Sequence, residues 1–172
     1  AAVDLDEFYD KKAKEDIVEI SRMFYDDIGL PIDEVLKRSD LYEREGKDQH
    51  AFCISIDRAG DVRTLCNIKP TAEWMDTVLH ELGDAVNDVA IDPRLPFNLR
   101  EPSHAFTTEG VAMLCGALAK TPSWMVAYAG ADGEILMSLS PTPKIRYGTP
   151  FGGPGVPGLV ELSIPDNLIL IG

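Results

Sequence analysis

Between Thr71 and Val89 the chain holds one uninterrupted helical pattern, and that pattern limits what the molecule can become. Val78, Leu79, Leu82 and Val86 recur at spacings of three and four, so they share one apolar face that must be buried. Pro70 stops any regular element running in from upstream, and Thr71 is placed to cap the helix, with Trp74 and Met75 in its first turns. A chain organised around such a helix needs partners with matching faces. From about Leu5 to Ile28 the apolar residues Ile17, Ile20, Phe24 and Ile28 supply one, with Gly29 and Pro31 set to end it. A short helix over Ile32–Arg38 and a polar loop, LYEREGKDQH at 41–50, follow. AFCISID at 51–57 then alternates, with Phe52, Ile54 and Ile56 on one face. RAGD at 58–61 turns and VRTLCNI at 62–68 returns, which reads as an antiparallel hairpin. The loop IDPRLPFNLR at 91–100 leads to a third long helix expected from about Pro102 to Ala119, with Pro102 in its first turn, and then to a short helical stretch around PSWM. Trp74 and Trp124 read as core anchors.

The expected fold class is therefore mainly α: long helices, one small antiparallel hairpin, and an irregular Pro/Gly-rich C-terminal tail. Half of the 12 prolines fall after residue 139, so the chain divides at that point into a core, 1–139, and an extended tail, 140–172. Within the tail, LVELSI and LILIG read as short strands.

A length of 172 residues is enough to bury one real core, and 45% apolar residues favour folding. The net charge of −13 argues against nucleic-acid binding through a phosphate backbone and disfavours an anionic membrane surface. No apolar run reaches membrane-spanning length. Cys53, Cys66 and Cys115 make an odd, scattered set and read as buried thiols, with a Cys53–Cys66 pair the alternative in a secreted chain. Free thiols and acidity point to the cytoplasm. The N-terminal AAVDLDEFYD is acidic and mixed, unlike a secretory leader, and it begins without methionine, as a fragment would.

The central helix also carries chemistry. His80-Glu81-Leu82-Gly83-Asp84 matches the first four positions of H-E-x-x-H, a pattern that works because helix positions i and i+4 project from one face. Two imidazoles there hold zinc, and the glutamate beside the first acts as general base. Here the second ligand position is Asp84. Aspartate is an acceptable ligand but a shorter one, so the ion sits nearer the helix or binds through water. Zinc affinity should fall, and harder ions such as manganese or calcium should compete better. The third ligand has to come from a following helix, and Glu109 in AFTTEGVAML stands 25 residues after Asp84 across a proline-containing loop. Gly110 is placed to let the two helices approach. A chance match instead predicts that His80 and Glu109 lie far apart. His50 and His104 are the only other histidines. GGPGVPG is not a phosphate loop, because it lacks the lysine and its prolines remove N–H donors.

HAFCISIDRAGDVRTLCNIKPTAEWMDTVLHELGDAVND, followed by LPFNLREPSHAFTTEGVAML, resembles the catalytic core of the zinc oligopeptidases, a group that includes thimet oligopeptidase and oligopeptidase F and is related to the angiotensin-converting-enzyme peptidyl-dipeptidases. The resemblance covers roughly Leu5–Tyr128. It implies a zincin-like core, zinc as cofactor, oligopeptides as substrates and peptide-bond hydrolysis. By position it makes His80 the first metal ligand, Glu81 the general base and Glu109 the third ligand, with Asp84 where the family has its second histidine. Family members are several times longer and carry a downstream tyrosine and histidine segment not found in this chain, so the resemblance implies a partial catalytic domain. The alternative is a homologue that kept the scaffold and binds peptides without cleaving them.

Overall fold

A computed structural model describes residues 5–130; the expected 139/140 boundary and the tail after it lie outside them. The described residues form a mainly helical fold with one small antiparallel sheet. The elements are α1 (Asp6–Tyr9), α2 (Lys14–Asp27), α3 (Asp33–Arg38), β1 (Phe52–Ser55), β2 (Val62–Leu65), α4 (Ala72–Val89), α5 (Ala105–Leu118) and α6 (Pro122–Trp124), which widens into a turn over Met125–Ala129. No helix among them is long and apolar enough to cross a membrane.

The single N-terminal helix expected from Leu5 to Ile28 is two helices. Tyr9 is fully buried and its hydroxyl donates to the carbonyl of Ala119, 3.4 Å away. Sending Tyr9 inward breaks the chain at residues 10–13. The helix restarts where the Asp16 carboxylate accepts the Ala13 N–H at 2.8 Å. From there α2 follows the expected pattern, burying Ile17, Ile20, Phe24 and Tyr25, and Gly29 in the left-handed region (φ 77°) ends it.

The hairpin is in register Phe52–Leu65, Cys53–Thr64, Ile54–Arg63 and Ser55–Val62. Its turn is held by Asp57, whose Oδ1 accepts the Ala59 and Asp61 N–H groups. Residue 40 runs alongside β2, with the Asp40 N–H donating to Thr64 O and the Cys66 N–H to Asp40 O. One feature of the sequence pattern turns out reversed. Phe52, Ile54 and Ile56 look outward, and Cys53 and Ser55 face in, because α4 packs across the other side of the sheet.

The loop at 41–50, mostly polar, hides a buried cation. The Lys47 ammonium is 1% exposed and donates to Asp40 Oδ1, Asp40 O, Tyr42 O and Cys66 O at 2.5–2.9 Å. Four oxygens around one ammonium exceed its three donors, so the charge is fully satisfied and pins the loop to β2.

The core lies where α2, α4, the sheet and residues 124–129 meet. Met75, Val78, Leu79, Leu82, Ala85 and Val86 of α4 are all buried. Each large side chain removed from water there contributes about 1.5–3 kcal/mol. Phe24, Trp124 and Tyr128 pack ring to ring against α2, with centroids 5.4–5.9 Å apart. The Thr71 side chain accepts the Trp74 N–H and caps α4. Cys53, Cys66 and Cys115 are free thiols. The outer side of α5 is different: Phe106, Met113 and Leu114 are exposed.

Candidate metal centre

Helices α4 and α5 pack closely, and glycine decides how closely. A methyl group at Gly83 would stand 2.8 Å from the Cα of Ala112, and one at Gly116 would stand 3.1 Å from the carbonyl of Asp76. Gly110, the residue expected to permit the approach, has open space around it. The contact therefore runs through Gly83, inside the motif itself, and through Gly116 on the partner helix.

This approach brings three side chains together. His80 and Asp84 stand one turn apart on α4, and Glu109 comes from α5. His80 Nε2 lies 3.7 Å from Asp84 Oδ2 and 3.4 Å from Glu109 Oε2, and one ligand atom from each of the three lies within 4.8 Å of the others. Bonds of about 2.1 Å around a tetrahedral ion put ligand atoms roughly 3.4 Å apart, so two of the three separations are close to that spacing. The arrangement that a chance match predicted, with His80 and Glu109 far apart, is not what the helices make. The site is half open: His80 and Asp84 are 26% and 19% exposed at the side chain, and Glu109 is 55% exposed.

Asp84 Oδ1 is buried and receives no hydrogen bond among the described residues. A buried carboxylate oxygen without a donor costs about 1–3 kcal/mol, which a cation or a proton would relieve. Burial raises the Asp84 carboxyl above the usual aspartate range; His80 works against that shift, and Glu109 and Asp88 add to it. Glu81, next to His80 on α4, is only 8% exposed and lies near enough to His80, Asp84 and Glu109, and to the sheet thiols Cys53 and Cys66, for their charges to interact. Burial pushes its carboxyl up to about 7, with His80 opposing and Asp84 and Glu109 reinforcing. Below the site, the Tyr25 hydroxyl donates to the carbonyl of Leu79 at 2.6 Å and fixes α4 just before His80.

The remaining histidines stay apart from this group. His104 caps α5, its Nδ1 accepting the Phe106 N–H at 2.9 Å, so the helix starts at Ala105 and not at Pro102. His50 is exposed.

Asp84 and Glu109 open onto a cleft of about 470 Å³, also lined by Cys53, Arg58, Asp88 and Arg100. That size is ordinary for a small-ligand site. The sequence reading passed over Asp88, Arg58 and Arg100. Asp88 could have been found from its helical spacing, four residues beyond Asp84. The two arginines come from the hairpin turn and the α4–α5 loop, where no periodicity marks them.

No protein-family model matches the chain, and no curated protein matches it closely enough to be counted a relative.

Proposed function

We propose that this chain is the catalytic core of a divalent-metal-dependent peptidase acting on oligopeptides. One observation carries the reading: His80, Asp84 and Glu109 converge from two helices, at the edge of a cleft, with a buried carboxyl next in sequence to the histidine. The resemblance of the same segment to the zinc oligopeptidases supports it.

The donor set suits a divalent ion. One imidazole and two carboxylates are an acceptable set for zinc and a better one for manganese, and the orphaned oxygen of Asp84 is where a cation would be welcome. His80, Asp84 and Glu109 would hold it. When bound, such an ion polarises a carbonyl and makes water more acidic. The remaining work belongs to the chain. Glu81 takes a proton from the attacking water and returns it to the departing amine. In the ion-free chain burial raises this carboxyl above the ordinary glutamate range, the direction that favours proton transfer near neutrality. The close α4–α5 contact holds Glu109 opposite His80.

The identity of residue 84 favours a second reading, a module that binds peptides without cleaving them. A carboxylate in place of an imidazole adds negative charge at the site, so water there is less acidified. Two measurements separate the readings: calorimetric titration with Zn²⁺ and Mn²⁺, and cleavage of a quenched fluorescent peptide. The peptidase reading expects one ion per chain, tighter zinc binding in Asp84→His, and a loss of cleavage of about 10²–10⁴-fold in Glu81→Gln. If neither the chain nor Asp84→His binds an ion, the peptidase reading fails. Ion and peptide binding without cleavage, even in Asp84→His, would leave the binding module standing.

A further inference from the structure

We propose that Arg100 is a carboxylate-binding residue of the cleft, gripping a carboxylate of a peptide whose backbone lies along the His80–Asp84–Glu109 group. The ligand's being a peptide rests on the function proposed above; the carboxylate site rests on the cleft itself.

The cleft holds two arginines, and they differ. Arg58 is ion-paired with Glu101, and its guanidinium lies 4.7 Å over the ring of Phe97. It is a latch between the hairpin turn and the α4–α5 loop. Arg100 is half-buried and has no carboxylate within ion-pairing distance among the described residues. Its Nε donates to the carbonyl of Leu95 at 2.7 Å, which fixes the plane of the guanidinium and leaves both Nη groups for another partner. The nearby acid, Asp92, is held by Arg94 through contacts of 2.6–3.0 Å. A planar guanidinium with one edge anchored and its outer donors unused is shaped for a carboxylate.

A second feature points the same way. Ala105 and Thr108, in the first turn of α5, line the same cleft, and that turn contains no acidic residue. The partial positive charge of a 14-residue helix therefore faces the space beside Arg100. The acids around it are engaged elsewhere. Glu101 is paired with Arg58, Asp84 and Glu109 belong to the cation group, and Asp88 is pushed toward its protonated form by burial and by Glu101. Arg100 is left as the cleft's cation without an ion pair among the described residues; Asp92 is near enough to feel its charge but is bound by Arg94.

The carboxylate could be the C-terminal one or an acidic side chain, and one set of peptides distinguishes them. An apolar hexapeptide labelled at its N-terminus with a dye that has no carboxylate (a BODIPY) is made as the free acid, as the C-terminal amide, and as the amide with an aspartate at the penultimate position. Binding is followed by fluorescence anisotropy on the full chain, with Mn²⁺ and with EDTA. At least one carboxylate-bearing peptide should bind tenfold or more tightly than the plain amide. The free acid gains if the site takes a terminus, and the aspartyl amide gains if it takes a side chain. Arg100→Gln should erase the difference and Arg100→Lys should keep part of it, with circular dichroism unchanged in both. Equal binding of all three peptides, no binding of any, or a preference that survives in Arg100→Gln overturns the proposal. Preference without cleavage leaves it intact while counting against the peptidase reading. Cleavage that ignores the carboxylate sinks this proposal alone.

Discussion

Neighbouring residues on α4 differ in exposure, and their chemistry follows. Asp84 lines the cleft and the His80 side chain beside it is 26% exposed; Glu81, one step along from His80, is only 8% exposed. Its folded-state value, about 7, lies above the ordinary glutamate value of 4.5. The folded chain therefore keeps this proton to higher pH than the unfolded chain does. Its contribution to stability is fully present at low pH and is lost as pH rises from about 4.5 through about 7. Glu81→Gln has no proton to lose. In EDTA it should be more stable than the parent by about 2 kcal/mol at pH 8, with most of that gain gone at pH 5. Urea denaturation at the two pH values checks this, and an equal effect at both would show that burial does not govern Glu81. The ligand positions were legible in the sequence because helical spacing places i and i+4 together. The burial of Glu81 was not, because it depends on a sheet formed by residues far away in the chain.

At the level of elements, the decisive contact is between α4 and α5. Gly83 looks like a weak point in a helix, since glycine costs about 1 kcal/mol there relative to alanine. Gly83→Ala recovers that amount but drives a methyl into the backbone of Ala112, which no rotamer can avoid. The net result should be a loss of about 1–2 kcal/mol, together with weaker metal binding as Glu109 is pushed from His80. Gly110→Ala has free space and should instead gain about 0.5–1 kcal/mol with metal affinity unchanged. Thermal melts and metal titrations of the pair test both signs, and a stabilised Gly83→Ala would show the helices are not in contact there. The sequence made α4, its Thr71 cap, the hairpin and the end of α2 readable, since each rests on local spacing or a single turn residue. It hid what depends on tertiary contact. The chain breaks after Tyr9 because the ring is wanted near Ala119, and Lys47 is buried because oxygens of Asp40, Tyr42 and Cys66, brought together by the fold, surround it. The outward Phe52, Ile54 and Ile56 show the same limit: alternation places three residues on one face but does not say which face meets the core.

At the level of the whole molecule, an apolar surface and a strong charge coexist. Phe106, at 81% exposure, and Met113 and Leu114, both at 64%, form the outer side of α5. Such surface ordinarily promotes contact between molecules. Each chain also carries a net charge of −13, and like charge keeps molecules apart. The two effects respond differently to salt. Raising ionic strength shortens the range of repulsion from about 30 Å at 0.01 M to about 3 Å at 1 M and leaves apolar attraction untouched. The colloidal behaviour of the chain should therefore run against simple salting-in: light scattering of a dilute solution should rise as NaCl increases, and Phe106→Ser with Leu114→Ser should suppress the rise. Scattering that stays flat would mean that this side of α5 is not sticky. The helix that presents Glu109 to the cleft on one side thus sets, on its other side, the ionic strength at which the protein remains dispersed.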